Sequence, residues 1–233
     1  NNIDLDAAKR RGIIVKNAKG YSTHSVAETT FMGALCLLRQ TIYYDEYVKT
    51  GGYSKSEHVF SFDRPILQLH GKNWGIIGLG TIGHEVARIA EAFGCEVSYH
   101  SVSGVERKEK YASKSLQELL AWSDIVSIHS PLTDKTENLI VSSQLAMMKP
   151  TAIIINVARG GIINEQALAE SLDSGVIAGA ATDVFTEEPP KSGNPLFEVK
   201  DKHRLILSPH NAWAAEKALE HLVNCVADNI EEY

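Results

Sequence analysis

Along most of the chain, short apolar runs alternate with stretches in which apolar residues recur every three or four positions. After residue 70 the runs predict six strands: Trp74–Leu79, Glu96–Ser101, Ile125–His129, Ala152–Val157, Ile177–Val184 and Leu205–Ser208. Helical patterns over Ile82–Phe93, Leu116–Trp122, Ser142–Met148 and Glu165–Asp173 fill most gaps between them. Strands that are apolar on both faces and alternate with helices predict a parallel sheet covered on both sides. The expected fold class is therefore α/β, a doubly wound Rossmann-type sheet. A long helix is expected on either flank. One begins in STHSVAETTFMGALCLLRQTIYYDEYVKTGG, where Ser25-x-x-Glu28 reads as a capping box and Gly51-Gly52 as a stop. The other is AAEKALEHLVNCVADNIEEY. The opening DLDAAKRRGIIVKN predicts a short helix, a glycine stop and a strand, a piece with nothing of its own to pack on. It is expected to belong to an earlier domain. Pro65 argues against a continuous strand in YSKSEHVFSFDRPILQLHGKN.

Composition changes this picture little. The 233 residues are 44% hydrophobic and 22% charged, ordinary for a globular chain. A formal charge of −6 argues against nucleic acid as a main partner. The apolar runs are far shorter than the roughly 20 residues of a membrane span. Cys36, Cys95 and Cys225 lie far apart, with neither metal-ligand spacing nor a disulfide pattern. They read as small buried hydrophobes in a reducing cytoplasm, with no metal expected.

Gly78-Leu79-Gly80-Thr81-Ile82-Gly83 follows a strand and opens an amphipathic helix. In that context the spacing points to a dinucleotide, either NAD(H) or NADP(H). Gly78 allows the tight turn, Gly80 admits the pyrophosphate, and Gly83 lets helix and strand approach. The helix N-terminus, at Thr81 and Ile82, offers free N–H groups to the phosphates. The residue expected to meet the adenosine ribose lies about 20 positions on. Counted without gaps it is Ser101, where an Asp would hold the 2′-hydroxyl and repel a 2′-phosphate. Ser101 can bond to either group, and the nearest cations are Arg107 and Lys108. Relaxed or NADP-leaning use is the expectation, with NAD alone left open.

Charged residues recur just beyond the later strands. INVARGGIIN supplies Arg159, TDVFTEEPP supplies Asp183, Glu187 and Glu188, and LSPHNAW supplies His210. Each alone reads as an ordinary loop residue. In an open parallel sheet ligands bind beyond the carboxyl ends of the strands, so all three segments can approach one site.

GLGTIG, PLTDKTENLI, NVARGGIINEQAL, DVFTEEPP and SPHNAW together resemble the D-isomer-specific 2-hydroxyacid dehydrogenases along nearly the whole chain. The resemblance implies a cofactor domain inserted into a smaller flavodoxin-like domain. On that basis 1–20 is a remnant of the substrate domain, 21–212 the dinucleotide-binding domain, and 213–233 a helix returning toward the substrate domain. Much of that second domain, with part of the substrate site, would lie outside these residues, and the chain alone is expected to be poorly active. The resemblance further implies that His210 donates the proton, Glu188 partners it, and Arg159 anchors the substrate carboxylate or carbonyl. Asp183 falls at a family position near the nicotinamide, and Ser130, Pro131, Val157 and Ala158 fall in cofactor-lining loops. Trp213 is expected at the substrate pocket, with core packing the alternative. NAKGYSTHSVAE and PHNAWAA are most similar to the glycerate dehydrogenases, or hydroxypyruvate reductases. D-lactate-type and phosphoglycerate-type enzymes, and a non-enzymatic dinucleotide-sensing corepressor, are the alternatives. Family members commonly dimerise through the cofactor domain, so a homodimer is expected. The apolar stretch Phe31–Tyr44 suits that interface or the domain's own core.

Overall fold

The computed structural model describes residues 3–104 and 109–232. Arg107 and Lys108 lie outside the described residues. Seven parallel strands form one sheet in the order β3-β2-β1-β4-β5-β6-β7. They are β1 (Asn73–Ile77), β2 (Glu96–His100), β3 (Ala112–Ser113), β4 (Ile125–Ile128), β5 (Ile153–Asn156), β6 (Gly179–Thr182) and β7 (Leu205–Leu207). Six were expected from their apolar runs. The edge strand β3 has two exposed residues and no apolar signal, and it exists only through its register with Ser98 and Tyr99.

The side-chain alternation of the strands divides the core between two faces. Ile77, Val126, Ile128, Ile154 and Ala180 point to one side, where α5 (Leu116–Trp122), α6 (Ser142–Leu145) and α7 (Glu165–Asp173) cover them. Trp74, Ile76, Ile125, Ile153, Ile155 and Ala181 point to the other, beneath α2 (Thr23–Leu38) and α4 (Thr81–Ala92). Within α2, Val26, Ala27, Phe31, Ala34, Leu37 and Leu38 are buried. Part of Phe31–Tyr44 is therefore intradomain core, while Met32 and Ile42 stay exposed.

Three sequence expectations are corrected. The first long helix is two helices, α2 and α3 (Thr41–Lys49), because Gln40 turns left-handed at φ 54° and its Nε2 donates to the Leu37 carbonyl at 2.8 Å. Ser25 is not a cap: α2 begins two residues earlier, and Ser25 Oγ donates to the Ala212 carbonyl at 2.5 Å and accepts from Ala215 N–H at 3.3 Å. That side chain ties the helix to the far end of the chain. The short helix α1 (Leu5–Arg10) forms as expected, capped by Asp4, but no strand follows it. Ile13 and Ile14 stay exposed and pair with no strand among the described residues. Near there, Lys16 Nζ meets Glu232 Oε2 at 2.8 Å, just beyond the closing helix α8 (Glu216–Glu231). No helix among the described residues is long and apolar enough to cross a membrane.

Candidate active site

All seven strands run parallel, so their carboxyl ends share one edge of the sheet. The loops leaving β1, β4, β5, β6 and β7 converge there on a cleft of about 620 Å³. Ile82, Ser130, Pro131, Val157, Ala158, Arg159, Asp183, His210 and Trp213 line it. A recess of about 180 Å³ beside it is lined by Gly78, Gly80, Ser101, Ser130 and Pro131, among others. The two spaces share His129, Ser130 and Pro131, so all the predicted cofactor residues except Thr81 and Gly83 lie along one elongated surface.

The β1–α4 turn fits a dinucleotide. Gly78 has φ +93° and sits against the backbone of Ser130, where a Cβ would come within 2.9 Å of the amide nitrogen. A Cβ at Gly83 would run into the Gly78 carbonyl oxygen. A Cβ at Gly80 would meet nothing within 4 Å, so this glycine leaves its backbone open toward the recess. The first N–H groups of α4 have no partner within the helix. Ser130 Oγ is buried and has no hydrogen-bond partner among the described residues, a polar atom aimed at something the chain does not supply. Gly78, Gly80 and Ser130 line the recess and Ile82 lines the cleft, whereas Thr81 and Gly83 line neither.

At the other end, His210 is held from two sides. Its Nδ1 lies 2.7 Å from Glu188 Oε2, and its backbone N–H donates to the Asp183 carbonyl at 2.8 Å. A carboxylate can only accept, so Nδ1 carries a proton, and Nε2 is the nitrogen left to exchange one. His210 also has φ +53°, an uncommon conformation for a residue with a side chain. Glu188 does not line the main cleft; it stands behind the imidazole, where its Oε1 accepts from Phe185 N–H at 3.0 Å.

The carboxylate of Asp183 is consumed by the protein. It is 2% exposed and accepts from Ser208 Oγ, Asn211 N–H and Ala212 N–H at 2.5, 3.1 and 2.8 Å. It builds the loop that carries His210. Trp213 lines the cleft and packs against the core, with Nε1 donating to the His210 carbonyl at 2.9 Å.

Several contributors escaped the sequence reading. Buried Asn156 ends β5 and accepts from Ala158 N–H at 3.1 Å while donating to the Arg159 carbonyl at 2.9 Å, folding the loop that presents Arg159. Gly160 lies directly on the next loop: a Cβ there would collide with the Phe185 carbonyl. The Arg159 and Glu188 loops are therefore stacked, with glycine as the spacer. Asn156 and Gly160 were visible as residues, but nothing in their spacing names their partners. His129, at the end of β4, lines both spaces; burial pushes its imidazole down to about 3, so it stays neutral. Among the described residues no group of His, Cys, Asp and Glu could hold a metal ion.

Residues 31–212 match the family model described as the D-isomer specific 2-hydroxyacid dehydrogenase, NAD binding domain. The glycerate dehydrogenase of Methylorubrum extorquens is 38% identical over 231 residues, covering 99% of this chain and 72% of that protein. The glyoxylate reductase of Aeropyrum pernix is 39% identical over 237 residues, with 99% and 69% covered. Among solved structures, the D-lactate dehydrogenase of Aquifex aeolicus complexed with NAD and lactic acid superimposes with a TM-score of 0.86 at 31% identity, over 98% of this chain and 70% of that one. The matched segment holds the glycine turn, Arg159, Glu188 and His210 together, and the chain belongs to the D-isomer specific 2-hydroxyacid dehydrogenases, enzymes that use a nicotinamide dinucleotide to act on CH–OH groups.

Proposed function

We propose that the protein reduces a small 2-keto acid, hydroxypyruvate first, to its D-2-hydroxy acid, D-glycerate in that case. The observation that carries the reading is the 2.7 Å bond between His210 and Glu188 at the cleft that Arg159 also lines. Reduction of a keto acid needs a hydride at the carbonyl carbon and a proton at its oxygen. The dinucleotide, when bound, supplies the hydride. Arg159 grips the substrate carboxylate through two parallel hydrogen bonds and so orients the keto carbon. His210 delivers the proton from Nε2. Glu188 stabilises the protonated ring and fixes its direction through Nδ1. Val157, Ala158 and Pro131 form the apolar wall that excludes water beside the reacting carbon, and Trp213 closes the substrate end. The likeness to a glycerate dehydrogenase supports hydroxypyruvate; the equal likeness to a glyoxylate reductase makes glyoxylate the necessary comparison.

The domain division follows from the same reading. Residues 21–212 hold the dinucleotide, 1–20 are a remnant of the substrate domain and 213–233 return toward it, as the Lys16–Glu232 pair and the exposed apolar residues Val223, Val226 and Ile230 support. A homodimer is the assembly we infer. Its support is the segment after α3, where Val59, Phe60 and Phe62 are 74%, 71% and 84% exposed. The three unpaired cysteines support a cytoplasmic site.

Steady-state reduction of hydroxypyruvate, glyoxylate, pyruvate and phosphohydroxypyruvate, followed by the absorbance of the reduced nicotinamide, tests the reading. The highest kcat/KM with hydroxypyruvate is expected. A higher value with any of the others reassigns the substrate.

A further inference from the structure

In this fold an acidic residue at the end of the second strand usually meets the adenosine ribose, accepting hydrogen bonds from its 2′-hydroxyl. Here β2 ends at His100 and Ser101 follows, so the usual position is neutral. The recess beside the glycine turn is nevertheless not without an acid. Its wall comprises Gly78 to Gly80, Tyr99, Ser101 to Ser103 and Glu109, and Glu109 is its one carboxylate among the described residues. Glu109 comes from the loop after β2, eight positions beyond Ser101.

The carboxylate is held there. Glu109 Oε2 lies 2.9 Å from Nε2 of His84, on the first turn of α4. Nδ1 of the same ring lies 2.9 Å from the Gly80 carbonyl, within the phosphate turn itself. Glu109 is thereby tied through one imidazole to the backbone that would carry the pyrophosphate. Its side chain is only 17% exposed, and it lines the recess while His84 does not. A ligand lying over Gly80 with its ribose beyond the end of β2 would place the 2′-position toward this wall.

We propose that Glu109 replaces the missing strand-end acid and sets the coenzyme preference, accepting from the ribose 2′-hydroxyl of NADH and repelling the 2′-phosphate of NADPH. The inference rests on the dinucleotide reading of the cleft and not on the identity of the keto acid. A phosphate monoester carries close to two negative charges at neutral pH. Brought beside a partly buried carboxylate it loses hydration and gains repulsion, whereas a hydroxyl loses neither charge nor partner. Ser101 then contributes a hydroxyl that suits either coenzyme, and the discrimination passes to the loop. On this proposal NADH is preferred, where Ser101 alone suggests relaxed or NADP-leaning use with NAD left open.

The test is direct binding without substrate. NADH and NADPH are titrated into the protein and into the E109Q and E109K variants, with nicotinamide fluorescence as the readout. The wild type is expected to bind NADH more tightly by about tenfold or more. In E109Q the two affinities converge, through a gain in NADPH binding and not a general loss. In E109K the order inverts, an outcome that misfolding cannot produce. Equal or tighter binding of NADPH by the wild type overturns the inference, as does an unchanged ratio in both variants or failure of the wild type to bind either dinucleotide. Turnover with hydroxypyruvate is measured separately. A protein that prefers NADH through Glu109 yet leaves hydroxypyruvate unreduced sinks the substrate assignment alone.

Discussion

The His210 imidazole and the Glu188 carboxylate meet at 2.7 Å although they come from loops after different strands, β7 and β6. Each is also pinned by backbone: His210 N–H donates to the Asp183 carbonyl, and Phe185 N–H donates to Glu188 Oε1. Both oxygens of Glu188 are therefore committed as acceptors. An amide in its place has one acceptor oxygen, so either Phe185 N–H or His210 Nδ1–H must face an NH₂ group. E188Q is expected to lower kcat by about 10- to 100-fold with little change in dinucleotide affinity. Single-turnover kinetics set beside a dinucleotide titration separate the two effects, and an equal loss in both would refute the orienting role.

Asp183 makes a different prediction. Its carboxylate accepts three hydrogen bonds from the 208–212 segment and is buried. D183N turns an NH₂ group toward at least one of those donors and is expected to destabilise the fold by about 1–3 kcal/mol. Urea denaturation of the variant measures this. A wild-type midpoint would show that the carboxylate serves a ligand and not the loop.

The contact between Gly160 and the Phe185 carbonyl leaves no room for a side chain. G160A must push the Arg159 loop away from the Glu188 loop, at a cost of about 1–3 kcal/mol. Keto-acid KM is expected to rise and kcat to fall together, because both charged groups move. Normal kinetics in a stably folded G160A protein would show that the two loops act independently.

A pH dependence of stability follows from His129. Burial holds its folded-state pKa at about 3, below the ordinary value of 6.5. Between those values the unfolded chain binds a proton that the native protein refuses. Stability is therefore fully present above about pH 6.5 and is lost as pH falls toward 3, with a slope approaching about 1.4 kcal/mol per pH unit. The ring is set by a chain of contacts: Trp74 Nε1 donates to Ser127 Oγ at 2.9 Å, and Ser127 Oγ lies 3.0 Å from His129 Nε2. H129Q is expected to flatten the decline between pH 6 and 4 in urea denaturation. An unchanged slope would assign the acid sensitivity to the carboxylates, among them Glu85, Glu91, Asp124 and Asp201, whose pKa values are lowered in the fold.

Assembly is tested at Phe60 and Phe62. F60S/F62S is expected to shift the protein from dimer to monomer in light scattering, with an unaltered circular dichroism spectrum. These side chains bury little within their own chain, so a stable monomeric wild type would remove the interface.

Much of this protein was decided locally. Apolar runs of four to six residues specify the central strands, because a strand buried on both faces needs no partner-specific information to be apolar. The glycine turn from Gly78 to Gly83 was legible for a similar reason: steric demands on the backbone are met by residue type at fixed spacing. Arg159, Asp183, Glu187, Glu188 and His210 were legible as neighbours because parallel strands send their carboxyl ends to one edge, and the family resemblance singled out Arg159, Glu188 and His210. Tertiary structure decided the rest. The break at Gln40 depends on where α2 runs out of core to cover, and Ser25 became a tether because Ala212 lies beside it. The stretch 13–16 has strand-like composition but pairs with no strand among the described residues. Gly160 and Asp183 owe their roles to groups 25 to 29 positions away. Such pairings are created by the closing of the sheet, and no local pattern of hydrophobic and polar positions carries them.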